Sequence, residues 1–167
     1  MNTHRRISVP AESGAVNPES EVRHTGVLPD RAHFRAQLET RRSSRCGGSA
    51  LFVVDIDGFR DIADRFGQET GQAILDRVSA GIAGLLRHSD FAARMEADEF
   101  HLYIDGLLSR DAAVSFASRL NESLCGVWSV RGTDHYLSVS IGIVYAGKGE
   151  MPADIQRKGS AALRRAK

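Results

Sequence analysis

Cysteine is nearly absent from the sequence, with only Cys46 and Cys125 in 167 residues. Two thiols so far apart form neither a metal knuckle nor a disulfide framework, and they read as free thiols in a reducing, cytoplasmic setting. No stretch approaches the about 18 consecutive apolar residues of a membrane span, and the N-terminus lacks the apolar segment of a secretory signal. Neither sign of charge dominates: a net charge of +1 with 26% charged residues gives no global field for nucleic acid or membrane, so any anion site must be local. The 42% hydrophobic content of a chain this long supports one domain with a real core. Residues 1–25, rich in Ser, Glu, Arg, Asn and Pro and without apolar periodicity, read as a flexible arm or linker, leaving 26–167 as the domain. The chain stops in Ala162-Leu163-Arg164-Arg165-Ala166-Lys167 with no helix cap, which predicts a piece of a longer protein.

Apolar spacing then orders the elements. Phe34 and Leu38 after Asp30 predict a short helix to about Arg42, followed by a Ser, Arg and Gly-rich loop over 43–49. Ala50 to Ile56 is a continuous apolar run with a β-branched centre, as in a strand buried on both faces, with Asp55 and Asp57 at its end. A short helix over Phe59 to Phe66, ended by Gly67, precedes a long one over about Thr70 to His88. Phe91 to Met95 and Phe100 to Ile104 flank Glu96-Ala97-Asp98-Glu99 as a hairpin. Helical spacing returns over Asp111 to Leu124. A strand pair follows over Gly126 to Val130 and Tyr136 to Tyr145, turning at Gly132, and a basic helix over 151–167 closes the chain. Trp128, set in a strand, reads as core. This order predicts an α/β (α+β) sandwich, with helices packed on a mostly antiparallel sheet.

Asp55, at the end of a central strand, and Asp98, at the tip of the neighbouring hairpin, lie at one edge of such a sheet. Both can reach one divalent cation, and hard oxygen ligands of this kind suit Mg²⁺ with nucleotide phosphates completing the shell. Spacing alone equally allows Asp55 to cap the following helix and Asp98 and Glu99 to be ordinary hairpin acids. The hairpin tip is unusual, because tight turns favour glycine where φ must be positive, and Glu96-Ala97 stands there instead, which predicts turn strain.

Leu51 to Phe59, Asp64 to Gly71, Glu96 to Phe100, Ser138 to Ile143 and Arg165-Ala166-Lys167 occur in the order of a GGDEF domain, and Thr25 to Arg31 is similar to that family's entry motif. The chain therefore resembles the diguanylate cyclase family over some 140 residues. The resemblance implies a nucleotidyl cyclase palm-like fold around a central five-stranded sheet. In active members two GTP-loaded domains meet across a two-fold and join two GTP into cyclic di-GMP, releasing pyrophosphate. It implies Asp55, Asp98 and the Ile56 carbonyl as Mg²⁺ ligands, Asp98 or Glu99 near the attacking hydroxyl, and Lys167 on nucleotide phosphate.

This sequence departs from the family at four positions. The Gly-Gly of the family corresponds to Glu96-Ala97, and a carboxylate about 4 Å from a phosphate costs on the order of 4 kcal/mol at an effective dielectric near 20. The guanine-reading Asn and Asp correspond to Ala63, which makes no hydrogen bond, and Gln72, which replaces a charged acceptor. These losses point away from cyclase activity and make GTP a weak ligand. Arg87-His88-Ser89-Asp90 matches the RxxD motif that binds cyclic di-GMP in the family, and Arg119 resembles its third arginine; the plain alternative is a solvated helix end. The expected function is a catalytically degenerate GGDEF domain serving as a regulatory or receptor module in cyclic di-GMP signalling, able to form a homodimer and followed in the full-length protein by a phosphodiesterase (EAL) domain. A weak diguanylate cyclase and a nucleotide-free dimerisation scaffold are the rivals.

Overall fold

The apolar run at the centre of the sequence forms β1 (Ser49–Ile56), with all eight residues buried. In the computed structural model, which describes residues 27–41, 48–107, 109–146 and 151–167, the other elements are α1 (Arg31–Arg41), α2 (Phe59–Phe66), α3 (Gln68–Leu85), β2 (Phe91–Arg94), β3 (Glu99–Asp105), α4 (Arg110–Leu124), β4 (Gly126–Val130), β5 (Thr133–Leu137), β6 (Val139–Ala146) and α5 (Pro152–Ala166). The predicted arm over 1–25, the thiol of Cys46 and most of the 43–49 loop lie outside the described residues.

Side-chain alternation along β1 explains the two layers of helices. Phe52, Val54 and Ile56 face one core with Ile74, Val78 and Ile82 of α3 and Phe116 and Leu120 of α4. Leu51 and Val53 face a second core with Phe34 and Leu38 of α1 and Ile155 and Leu163 of α5. The antiparallel α+β sandwich is as expected, but its strand count differs from the five that the resemblance implies. Among the described residues the main sheet has four strands in the order β2-β3-β1-β6, and β4 and β5 form a separate two-stranded ribbon.

The difference arises at Ser138, near the start of the expected long strand. The Ser138 carbonyl accepts the Asp57 N–H at 3.0 Å, and its hydroxyl donates to Asp57 Oδ2 at 2.8 Å. The chain thus changes partners there, from β4 to β1. The ribbon turns at Arg131 and Gly132, both with positive φ (52° and 81°), as a two-residue hairpin of right-handed twist requires. Trp128 is buried as expected, with the Arg77 guanidinium 4.6 Å from its ring centroid.

Two glycines let α5 lie directly on the sheet. A Cβ on Gly142 of β6 would stand 2.4 Å from the Leu163 backbone nitrogen, and one on Gly159 of α5 would stand 2.7 Å from Val53 Cγ2. This close seating brings the end of α5 to the carboxylate edge of β1. Among the described residues, no helix is long and apolar enough to cross a membrane.

Candidate functional site

The hairpin acids reach the end of β1 through register. Asp55 is paired with Glu99, and the Ile56 N–H donates to the Asp98 carbonyl at 3.3 Å, so the tip folds over the strand's end. The tip carries no strained backbone, contrary to the expectation from the missing glycines. Arg131 is the only non-glycine with positive φ among the described residues, so Glu96 and Ala97 turn without the left-handed region. The turn is opened to a bend held by hydrogen bonds. Met95 N–H donates to the Glu99 carbonyl at 2.8 Å, while Arg94 Nε reaches the Glu96 and Ala97 carbonyls at 3.3 and 3.1 Å. The Glu96 carboxylate pairs with Arg31 at the start of α1, so this side chain and its charge are held at the tip.

Asp55 is 8% exposed, and its carboxylate does not cap the following helix. That helix begins at Gly58 with no side-chain cap, and Lys167 Nζ stands 2.6 Å from Asp55 Oδ1. Burial pushes the Asp55 carboxyl above its ordinary value, Lys167 opposes this, and the Asp98 charge adds to the rise. The same contact raises Lys167. Replacing Lys167 by Met leaves only raising influences, so the Asp55 carboxyl should titrate higher still, read by NMR of the side-chain carboxyl. An unchanged titration would mean that the ammonium does not hold the charge. Asp57 is occupied too, accepting from the Ser138 and Ser140 hydroxyls at 2.8 and 2.7 Å.

Glu99 has a partner that the sequence reading missed. His101 Nε2 lies 2.8 Å from Glu99 Oε1, and this hydrogen bond is the main cause of a Glu99 carboxyl held below the ordinary range. That pairing stabilises the fold above the ordinary carboxylate range, and the stabilisation is lost as pH falls through the lowered value. The signal was available: residues two apart on a strand share a face, and a histidine among Phe100, Leu102 and Tyr103 is out of pattern. The Asp98 carboxylate has no hydrogen bond or ion pair among the described residues.

The oxygen donors at this edge suit Mg²⁺ in kind, and the Asp55 and Asp98 carboxylates with the Ile56 carbonyl are the groups that would hold it. No group of three or more metal-ligating side chains converges among the described residues, and the Lys167 ammonium supplies the counter-charge to Asp55. Of the two positions expected to read a base, Gln72 lines a cavity of about 310 Å³ with Leu28, Asp76 and Arg94, and donates to Asp76 Oδ1 at 2.6 Å. Ala63 does not line it.

The RxxD segment lies beyond α3, which ends at Leu85 instead of the expected His88. Asp90 is buried and serves the turn: Oδ2 accepts the Arg87 N–H at 2.8 Å, and Oδ1 accepts the Asp105 N–H at 3.1 Å. Arg87 is exposed beside it. Arg41, from the end of α1, hydrogen-bonds the Ser89 carbonyl and lies 5.0 Å from the Phe91 ring centroid. Arg119 rests over Phe116 of its own helix at 5.9 Å, and no hydrogen bond or ion pair joins it to Arg87 or Asp90.

The fold and this edge define an α+β domain with an acidic hairpin folded over the end of its central strand. Residues 24–167 match the model of the diguanylate cyclase GGDEF domain, and the chain belongs to that family. It is 31% identical over 143 residues to the diguanylate cyclase TpbB of Pseudomonas aeruginosa, covering 81% of this chain and 32% of that one. It is 30% identical over 142 residues to the bifunctional diguanylate cyclase/cyclic di-GMP phosphodiesterase MucR of the same organism, covering 84% of this chain and 20% of that one. The chain thus spans a third or less of these curated relatives. The crystal structure of the TpbB GGDEF domain superposes with a TM-score of 0.78 at 28% identity, over 84% of this chain and 91% of that one.

Proposed function

We propose that this is a catalytically degenerate GGDEF domain, acting as a regulatory or receptor module in cyclic di-GMP signalling. The observation that carries the reading is the internal engagement of the acids: Glu99 is bound by His101 and Asp55 by Lys167. A carboxylate that accepts a hydrogen bond from a buried histidine is a poorer base toward a substrate hydroxyl, since its lowered pKa weakens its pull on a proton. Glu96 places a carboxylate at the tip, its charge countered there by Arg31, and Gln72 already donates to Asp76. Exposed Arg87 is the residue offered to a cyclic di-GMP phosphate or guanine edge. In the same reading residues 26–167 form the module, and the effector is a phosphodiesterase (EAL) domain joined to it, the pair of activities that MucR combines by name.

Titration calorimetry with cyclic di-GMP and a pyrophosphate-release assay with GTP and Mg²⁺ test this reading. Binding of cyclic di-GMP should weaken about tenfold or more in Arg87→Ala, the loss expected of one charge-assisted contact. No pyrophosphate should be released. Release that disappears in Asp98→Ala would overturn the reading in favour of a weak cyclase, the rival supported by the unpaired Asp98 carboxylate. Silence toward both ligands would reduce the domain to a scaffold.

A further inference from the structure

We propose that the cleft between α1, the hairpin and α5 binds a small polar phosphomonoester. The cleft has a volume of about 440 Å³, within the range of small-molecule sites. Arg31 and Arg35 of α1 and Arg157 and Arg164 of α5 line it. Arg31 is paired with Glu96 and Arg157 with Asp154. Arg35 and Arg164, both exposed, make no ion pair among the described residues and face the opening from opposite helices. Convergent guanidinium groups without carboxylate partners favour a compact oxyanion, which they bind in a bidentate manner.

The inner wall supplies the second observation. His101 is only 3% exposed and lines the cleft, and its Nδ1 has no hydrogen-bond partner; nor has the buried Nε2 of Gln156, another of the lining residues. Two unpartnered polar atoms on residues lining one cleft are unfavourable unless a ligand completes them. Because His101 Nε2 donates to Glu99, Nδ1 accepts when the ring is neutral and donates when it is cationic. A phosphomonoester suits both states, since its second pKa of about 6 leaves it with P–OH and P–O⁻ forms near neutrality. Sulfate, which carries no such proton, matches only the cationic ring. The amide of Gln156 donates to a phosphate oxygen in either case.

Calorimetry with ribose 5-phosphate as the probe tests the proposal, with sulfate as the control anion. The expected result is saturable one-to-one binding, a shift of the His101 imidazole ¹⁵N resonances on addition of the probe, and weaker binding of sulfate. The Arg35→Ala/Arg164→Ala double variant, altered only at exposed positions, should weaken binding about tenfold or more while keeping its circular dichroism spectrum. Gln156→Leu should weaken it as well. Absence of saturable binding, binding retained by both variants, or equal binding of sulfate would overturn the proposal. Failure of cyclic di-GMP to bind at Arg87 would leave it standing.

Discussion

Gly142→Ala should lower the stability of the domain by about 3 kcal/mol, at the upper end of what overpacking costs. The added methyl would meet the backbone of Leu163 at 2.4 Å (nitrogen) and 2.8 Å (Cα), atoms that cannot rotate away. Relief requires α5 to lift from β6, which would also withdraw Lys167 from Asp55. Urea unfolding measures the first effect, and the Asp55 carboxyl titration measures the second. Gly159→Ala is the control. Its methyl would press on the side chains of Val53 and Leu51, which can shift, and alanine favours the helix by about 1 kcal/mol over glycine, so its loss should be clearly smaller. Equal losses would show that α5 is not seated through Gly142.

Asp90→Ala should cost about 3 kcal/mol with or without a ligand. Its carboxylate accepts the Arg87 and Asp105 N–H groups in a partly buried turn, and each donor left unpaired there costs about 1–3 kcal/mol. Asp90→Asn keeps one oxygen acceptor and should lose about half as much. Thermal and urea unfolding of the unliganded protein decide between this and a surface role, for which neither change would exceed about 0.5 kcal/mol. The result also governs how ligand experiments are read. Loss of cyclic di-GMP binding in Asp90→Ala would follow from a broken turn, so Arg87→Ala, exposed and without that duty, is the discriminating variant.

The sandwich was legible in the sequence because burial periodicity is local. Leu51 to Val54 form a central strand whichever neighbours they pair with, and Ile74, Val78 and Ile82 form one helical stripe. The split at Ser138 was not legible. Alternation runs unbroken through Leu137, Val139 and Ile141, and the change of strand partner depends on Asp57, 81 residues earlier in the chain. The absence of strain at Glu96-Ala97 was hidden for a similar reason. A glycine-poor tip predicts strain only if the turn is tight, and Arg94, reaching the tip's own carbonyls, holds it open.

The candidate site divides in the same way. By itself the sequence determined which acids stand at the sheet edge, Asp55, Asp98 and Glu99, because residue identity and order are its content. Only the tertiary structure decided that Asp55 is bonded to Lys167 and Asp90 to its own turn, whereas the Glu99–His101 pair lies two residues apart on one strand. The physical reason is that a carboxylate's chemistry is set by burial and by partners within about 4 Å. For Asp55 the partner comes from the terminal helix, and for Asp90 from the opposite end of its turn and from a neighbouring strand.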